Sequence, residues 1–222
     1  MNGTFGILEE RRERMAQKRS MSMAHWHRYS SHMLQPFTNS SRYTLSDALA
    51  VAVWLNVLIR QSRYIGMANI AQSVNVISPL MTTKEGIIKQ TTWWPLLLFS
   101  KYMRGHAVAV NLCCSDYDGP TEPAWIRGTL DTPWLDVSAA ASDDGFLNLA
   151  VVNVNDQKDF EADLEGVDST EVQIYTVTGS GPTVTNMEGE QNVSVRESIW
   201  NGTGRFKFPK HSFTMLRWKH RQ

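Results

Sequence analysis

One boundary constrains this chain more than any other feature: near Gly105 the apolar pattern changes from helical spacing to a period close to two. Before it, Thr44-Leu45-Ser46-Asp47 has the spacing of a helix start, in which a side-chain oxygen accepts from a backbone N–H three residues on. It opens an apolar run from Ala48 through Trp54 to Ile59. That run is apolar almost all the way round, so a helix from Ser46 to Arg60 should be buried on most faces. Arg60 to Tyr64 closes it. Ile65 to Ala71 is short and apolar without helical period, and reads as a buried parallel strand. Val74 to Ile77 leads to Ser78-Pro79, where the proline restricts Ser78 to extended backbone. After a polar loop through Lys84-Glu85-Gly86, a second helix is expected from Trp93 or Pro95 to Arg104. Pro95 is tolerated in its first turn, and Gly105 stops it.

Beyond Gly105, short β-rich runs occur at Ala107 to Leu112, Trp134 to Ala141, Phe146 to Val154, Glu171 to Val177, Arg205 to Phe208 and Phe213 to Trp218. Turn signals such as Asp143-Asp144-Gly145, Glu165-Gly166, Gly179-Ser180-Gly181-Pro182 and Asn201-Gly202 separate them. This spacing predicts an antiparallel sandwich over 106–222. The helix–strand–helix over 42–105 cannot close a sheet by itself, because a parallel strand needs neighbours and covering helices on both faces. It reads as the end of something larger. Met1 to Ser41 is rich in Met, His, Ser and Arg without apolar periodicity, and 1–41 is expected to be disordered. His25 and His27 flank Trp26 there, a weak metal-ligand pattern set against chance in an unfolded tail.

The chain has 222 residues, with 22 basic and 22 acidic side chains and a formal net charge of zero, so it lacks the positive field that holds a phosphate backbone. Nucleic acid is therefore set aside as a partner. No apolar run reaches the ~20 residues a membrane-spanning helix needs. Cys113 and Cys114 are adjacent, which suits neither a disulfide framework nor zinc-ligand spacing, and both are expected to be small buried residues.

Three groups of segments carry a specific resemblance. They are Tyr43 to Val51; Met67-Ala68-Asn69-Ile70-Ala71-Gln72-Ser73-Val74-Asn75-Val76-Ile77-Ser78-Pro79; and Gln90-Thr91-Thr92-Trp93-Trp94-Pro95. With Lys101 to Gly105, Tyr117-Asp118-Gly119 to Trp125, Leu147 to Asn153 and Phe208 to Ser212, they closely resemble the fungal α-L-arabinofuranosidases of glycoside hydrolase family 51, over Arg42 to Lys219. The resemblance implies a fold of two parts: the last helix–strand–helix of a (β/α)8 barrel over 42–105, then an all-β sandwich of jelly-roll type over 106–222. Barrel active sites are built at the carboxyl ends of strands. Gln72 falls just past the expected strand and matches the family's substrate-contacting glutamine, which hydrogen-bonds the arabinofuranosyl ring; its other reading is an amide that caps the strand end. Asn75 would hold the loop or reach the sugar, and Trp93 and Trp94 would line the cleft or pack in the core.

Retaining glycoside hydrolysis uses two carboxyls about 5 to 5.5 Å apart. In the family both are glutamates on earlier barrel strands, the nucleophile within an Asp-Glu-Trp-Asn motif that does not occur here, so no catalytic residue is assigned to this chain. Glu85 and Glu122 are the nearest acids, and each reads as a solvated loop charge. With one choice of codons, the family stretch beginning Asp-Glu-Trp-Asn, read one base out of frame, spells Met1 to Glu10. We therefore expect 1–41 to be a non-native leader, with the family frame resuming at Arg42; a transcript covering 1–41 in this frame would contradict that. The implied function is removal of non-reducing-end α-L-arabinofuranosyl units from arabinan or hemicellulose, with the isolated chain inactive. The reaction implies no metal and no cofactor, and family members are often homo-oligomers. The competing expectation is a non-catalytic carbohydrate-binding or structural sandwich with Trp125, Trp134 or Trp200 as stacking platforms. Asn-x-Ser/Thr triplets at Asn2, Asn39, Asn192 and Asn201 do not by themselves argue for secretion, and a cytoplasmic location is slightly favoured.

Overall fold

The computed structural model describes residues 42–70, 72–117 and 133–220. Helix α1 spans Leu45–Arg60, and its start is the capping box that the spacing predicts. The Asp47 N–H donates to Thr44 Oγ1 at 3.3 Å, while the Thr44 N–H donates to the Asp47 carboxylate at 2.7 Å. Leu45, Leu49, Ala52 and Val53 of α1 pack into a shared core with Trp94, Leu98, Phe99 and Tyr102 of a second helix, α2, Trp93–Tyr102. Between the helices lies a short hairpin, β1 (Leu80–Thr82) and β2 (Ile87–Lys89), turning through Lys84-Glu85-Gly86.

After α2 come β3 (His106–Val108), β4 (Leu135–Ala141), β5 (Phe146–Asn153), β6 (Phe160–Asp163), β7 (Val172–Thr178), β8 (Ser194–Trp200), β9 (Arg205–Phe208) and β10 (Ser212–Lys219). Six of them form one antiparallel sheet in the order β3-β4-β5-β10-β7-β8, and β6 pairs with β9 in a sheet of two. Alternation along each strand gives the larger sheet two apolar faces. Ala140, Ala150, Val152, Val177, Phe213 and Met215 meet α1 and α2. Leu135, Val151, Val172, Ile174, Leu216 and Trp218 face the opposite way, against Phe160, Ala162, Phe206 and Phe208 of the small sheet. The order is therefore helices, large sheet, small sheet.

A polar cluster seals α1 onto β4. Asn56 is fully buried; its Nδ2 donates to the Asp136 carbonyl at 3.1 Å and carboxylate at 2.7 Å, and its Oδ1 accepts from Ser138 Oγ at 2.6 Å. Arg60 adds a two-pronged pair to the Asp136 carboxylate at 3.0 and 2.8 Å. Satisfying a buried amide in full avoids the roughly 1–3 kcal/mol that an unpaired polar group costs.

Several expectations are corrected. Ile65 to Ile70 is not a strand: it is coil with a bend at Gly66, and Met67 and Ile70 are 78% and 55% exposed. A parallel strand needs a neighbour for its backbone groups, and the described residues supply none. Ala71 lies outside the described residues. The run from Ala107 to Leu112 contributes only His106–Val108. Cys113 is exposed and Cys114 half-buried, both as free thiols, because the chain leaves the sheet before reaching them. The tail 1–41, Glu122 and Trp125 lie outside the described residues. No helix among the described residues is long and apolar enough to cross a membrane.

His211 ties the two ends of the fold together. Its backbone N–H donates to the Asn155 carbonyl at 2.7 Å, and its Nε2 lies 3.0 Å from Ser46 Oγ at the start of α1. Burial lowers its pKa from the ordinary 6.5, partly opposed by Asp156 and the Val154 carbonyl. The unfolded chain therefore binds a proton at a pH where the folded chain still resists it. Stability from this group is complete above about pH 6.5 and is lost as pH falls toward the depressed folded pKa. Denaturant midpoints measured from pH 7.5 to 5 should fall with pH, and His211→Gln should flatten that slope; an unchanged slope would contradict the assignment.

Candidate functional site

The segment between α1 and β1 is anchored at its base. Gln90, 2% exposed, accepts the Tyr43 N–H on Oε1 at 2.9 Å and donates Nε2 to the Ser78 carbonyl at 2.7 Å. Thr91 Oγ1 donates to the Thr44 carbonyl at 2.7 Å, and Tyr43 Oη to the Ile77 carbonyl at 2.5 Å. The start of α1, the end of the loop and the start of α2 are thus joined through one amide and two hydroxyls. Gln90 was readable only as part of a motif. The physical signal was an amide between an apolar pair, Ile87-Ile88, and a helix start.

From that base the loop rises through Gln72 (φ 58°), Asn75 (φ 63°) and Val76 (φ 57°), three non-glycine residues with left-handed backbone. For a β-branched residue such as Val76 that geometry is strained, and strain of this kind persists only where neighbours impose it. Asn75 imposes it. Its backbone N–H donates to the Leu80 carbonyl at 2.7 Å, its Nδ2 donates to Thr82 Oγ1 at 2.9 Å, and its Oδ1 accepts the Thr82 N–H at 2.8 Å. Asn75 is spent on the loop and on β1. Gln72 is exposed.

The two tryptophans sit differently from each other. Trp94 is 8% exposed and donates Nε1 to the Val193 carbonyl at 2.8 Å, which closes it into the core between helix and sheet. Trp93 is half-buried against the same core, with its Nε1 buried and unpartnered. Of the candidate stacking platforms, Trp134 is half-buried edge-to-face with Tyr117 at 4.6 Å, and Trp200 likewise with Phe206 at 5.3 Å. Each ring thus gives part of its surface to an aromatic neighbour. Glu85 is exposed in the β1–β2 turn, and its N–H donates to Thr83 Oγ1 at 3.2 Å.

The displaced carboxyls move the wrong way for a general acid. The Ser142 hydroxyl and then Arg217 hold Asp144 below the ordinary carboxylate range, and Lys207 with the Lys210 N–H does the same for Asp159. A general acid needs the opposite displacement. Among the described residues, no three of His, Cys, Asp or Glu gather as a metal site.

The fold is a β-rich domain capped on one face by two helices, a class shared with solved glycosidases. An α-L-arabinofuranosidase from Thermotoga maritima in complex with arabinose superposes with a TM-score of 0.69 at 22% identity, over 80% of this chain and 39% of that one. A family 51 α-L-arabinofuranosidase from Bifidobacterium longum gives 0.70 at 22% identity, over 85% and 39%. At the sequence level, the model of the α-L-arabinofuranosidase C-terminal domain matches residues 23–212, and the chain belongs to that family. The "Probable alpha-L-arabinofuranosidase C" of Aspergillus terreus is 64% identical over 177 residues, 80% of this chain and 35% of that protein. The "Alpha-L-arabinofuranosidase C" of Emericella nidulans is 59% identical over the same shares. The chain thus spans about a third of the length of these relatives.

Proposed function

We propose that this chain is the C-terminal part of a retaining α-L-arabinofuranosidase that releases non-reducing-end L-arabinose from arabinan, arabinoxylan or their oligosaccharides. The identity of 64% over 177 residues to a relative of that name carries the reading. In it, α1, the apolar segment from Ile65 to Ile70 and α2 belong to the last helix–strand–helix of a (β/α)8 barrel, and 106–222 is a jelly-roll-like sandwich. The exposed coil at Ile65 to Ile70 supports this, since an apolar segment lacking neighbours is what a barrel strand becomes without the rest of its barrel. Both catalytic glutamates belong to the part of the enzyme upstream of Arg42.

Within that enzyme Gln72 supplies a hydrogen bond to the arabinofuranosyl ring. It stands exposed on a loop held by Asn75 and Gln90, so its backbone is placed at little ordering cost. Asn75 positions the loop, and Trp93 lines the sugar cleft. The test is a chimaera in which this chain replaces the matching third of the Aspergillus terreus relative. There Gln72→Ala should lower kcat/KM for an aryl α-L-arabinofuranoside by about 10–100-fold, the value of one or two hydrogen bonds made in the transition state. The unfolding midpoint should not move, because the side chain is exposed. Unchanged kcat/KM would remove Gln72 from the site.

A further inference from the structure

Strand β8 ends the large sheet, hydrogen-bonded to β7 along one side. Its Arg196, Glu197 and Ser198 are exposed, and Ile199 is 67% exposed. Two Asn-x-Ser/Thr triplets bracket it, Asn192-Val193-Ser194 and Asn201-Gly202-Thr203, and their geometries differ. At the first, Asn192 Nδ2 donates to the Thr185 carbonyl at 3.0 Å. Its middle residue, Val193, is fully buried, and the Val193 N–H donates to Asn186 Oδ1 at 2.7 Å.

At the second, Asn201 Oδ1 accepts from both the N–H and the hydroxyl of Thr203, at 3.1 and 2.9 Å. Asn201 is exposed, and its Nδ2 donates to none of the described residues. The turn is clamped at its middle. Gly202 has φ +71°, and a Cβ there would lie 2.0 Å from the Ser169 carbonyl oxygen, so only glycine fits.

We propose that Asn201 is the acceptor of an N-linked oligosaccharide, carried at the open end of β8. The donor class is a polyisoprenyl-diphosphate-linked oligosaccharide. Nδ2 bonds to the anomeric carbon, the bond from that carbon to the diphosphate oxygen breaks, and the lipid diphosphate leaves with the electron pair. One amide proton passes to a base on the transferase, and nothing is oxidised or reduced. The two donors aimed at Oδ1 stabilise the charge that gathers there as the nitrogen gives up its proton. Those contacts reach only two residues along the chain, so they form in a nascent polypeptide before the sheet exists. After folding, the exposed Asn201 leaves room for the sugar outside the core. Standing beside Ile199, the glycan obstructs a foreign strand approaching the edge of β8 that pairs with none of the described residues.

The test translates the full chain behind a cleavable secretion leader with microsomes and collects only the protease-protected pool. Peptides are then weighed as intact glycopeptides, because an Asn-Gly pair deamidates spontaneously and a deglycosylation tag would mislead. Most protected molecules should carry sugar at Asn201, with occupancy of Asn192 several-fold lower. Thr203→Ala should abolish the Asn201 glycopeptide, and Thr203→Ser and Asn192→Gln should retain it. Protected chains with bare Asn201, or with Asn192 occupied as fully as Asn201, would overturn the proposal.

Discussion

Phe213→Ala should cost about 3–5 kcal/mol, enough to consume much of the roughly 5–15 kcal/mol that holds a domain of this size. Phe213 is fully buried near the start of β10, opposite Val152 of β5 and Val177 of β7. Its ring stacks on Phe99 of α2 with centroids 5.5 Å apart. It therefore belongs at once to the sheet and to the layer of helices, and truncation opens a cavity that neither layer can close alone. Denaturant unfolding followed by circular dichroism reads this directly. A loss below 1 kcal/mol would mean that helices and sheet do not share the core described above.

Gly105→Ala should cost about 3 kcal/mol or more, against about 1 kcal/mol for Gly145→Ala. Both glycines have left-handed backbone, φ +96° and φ +80°. At Gly145 a Cβ would meet nothing within 4 Å, so only backbone strain is charged; at Gly105 it would lie 2.2 Å from the Ala141 carbonyl oxygen. Since Ala141 pairs with His106 in the β3–β4 ladder, relieving that clash moves the joint between α2 and the sheet. The difference between the two midpoints isolates the contact from the strain. Equal losses would show that the joint yields freely.

How much of this was readable beforehand depended on whether a segment carries its own signal. Helix α1 announces itself through Thr44 and Asp47 and an apolar run, and the structure places it at Leu45–Arg60. Strands β4, β5, β7, β9 and β10 were legible because each carries apolar residues in alternation or an unbroken buried run. Strand β8 was missed because it is an edge strand with charged and polar side chains, and β6 because Phe160–Asp163 is four residues whose Glu, Ala and Asp are all depleted in strands. The hairpin β1–β2 has three residues on each side, too few to show a period.

The error at Ile65 to Ile70 is of another kind. The composition suits a strand, but strand formation depends on neighbours that the described residues do not contain. The loop that carries Gln72 was legible through resemblance to a family. The residues that hold it, Asn75 through Thr82 and Gln90 through Ser78, are visible only in three dimensions.

The central claim is that this chain supplies the C-terminal third of an enzyme whose catalytic carboxyls lie elsewhere. The most direct measurement compares L-arabinose release from an aryl α-L-arabinofuranoside by the chain alone and by the chimaera with the upstream two thirds of the Aspergillus terreus relative. The chain alone should show no turnover above buffer, while the chimaera, folded by circular dichroism, should turn over. Activity from the chain alone, or a folded chimaera without activity, would contradict the account.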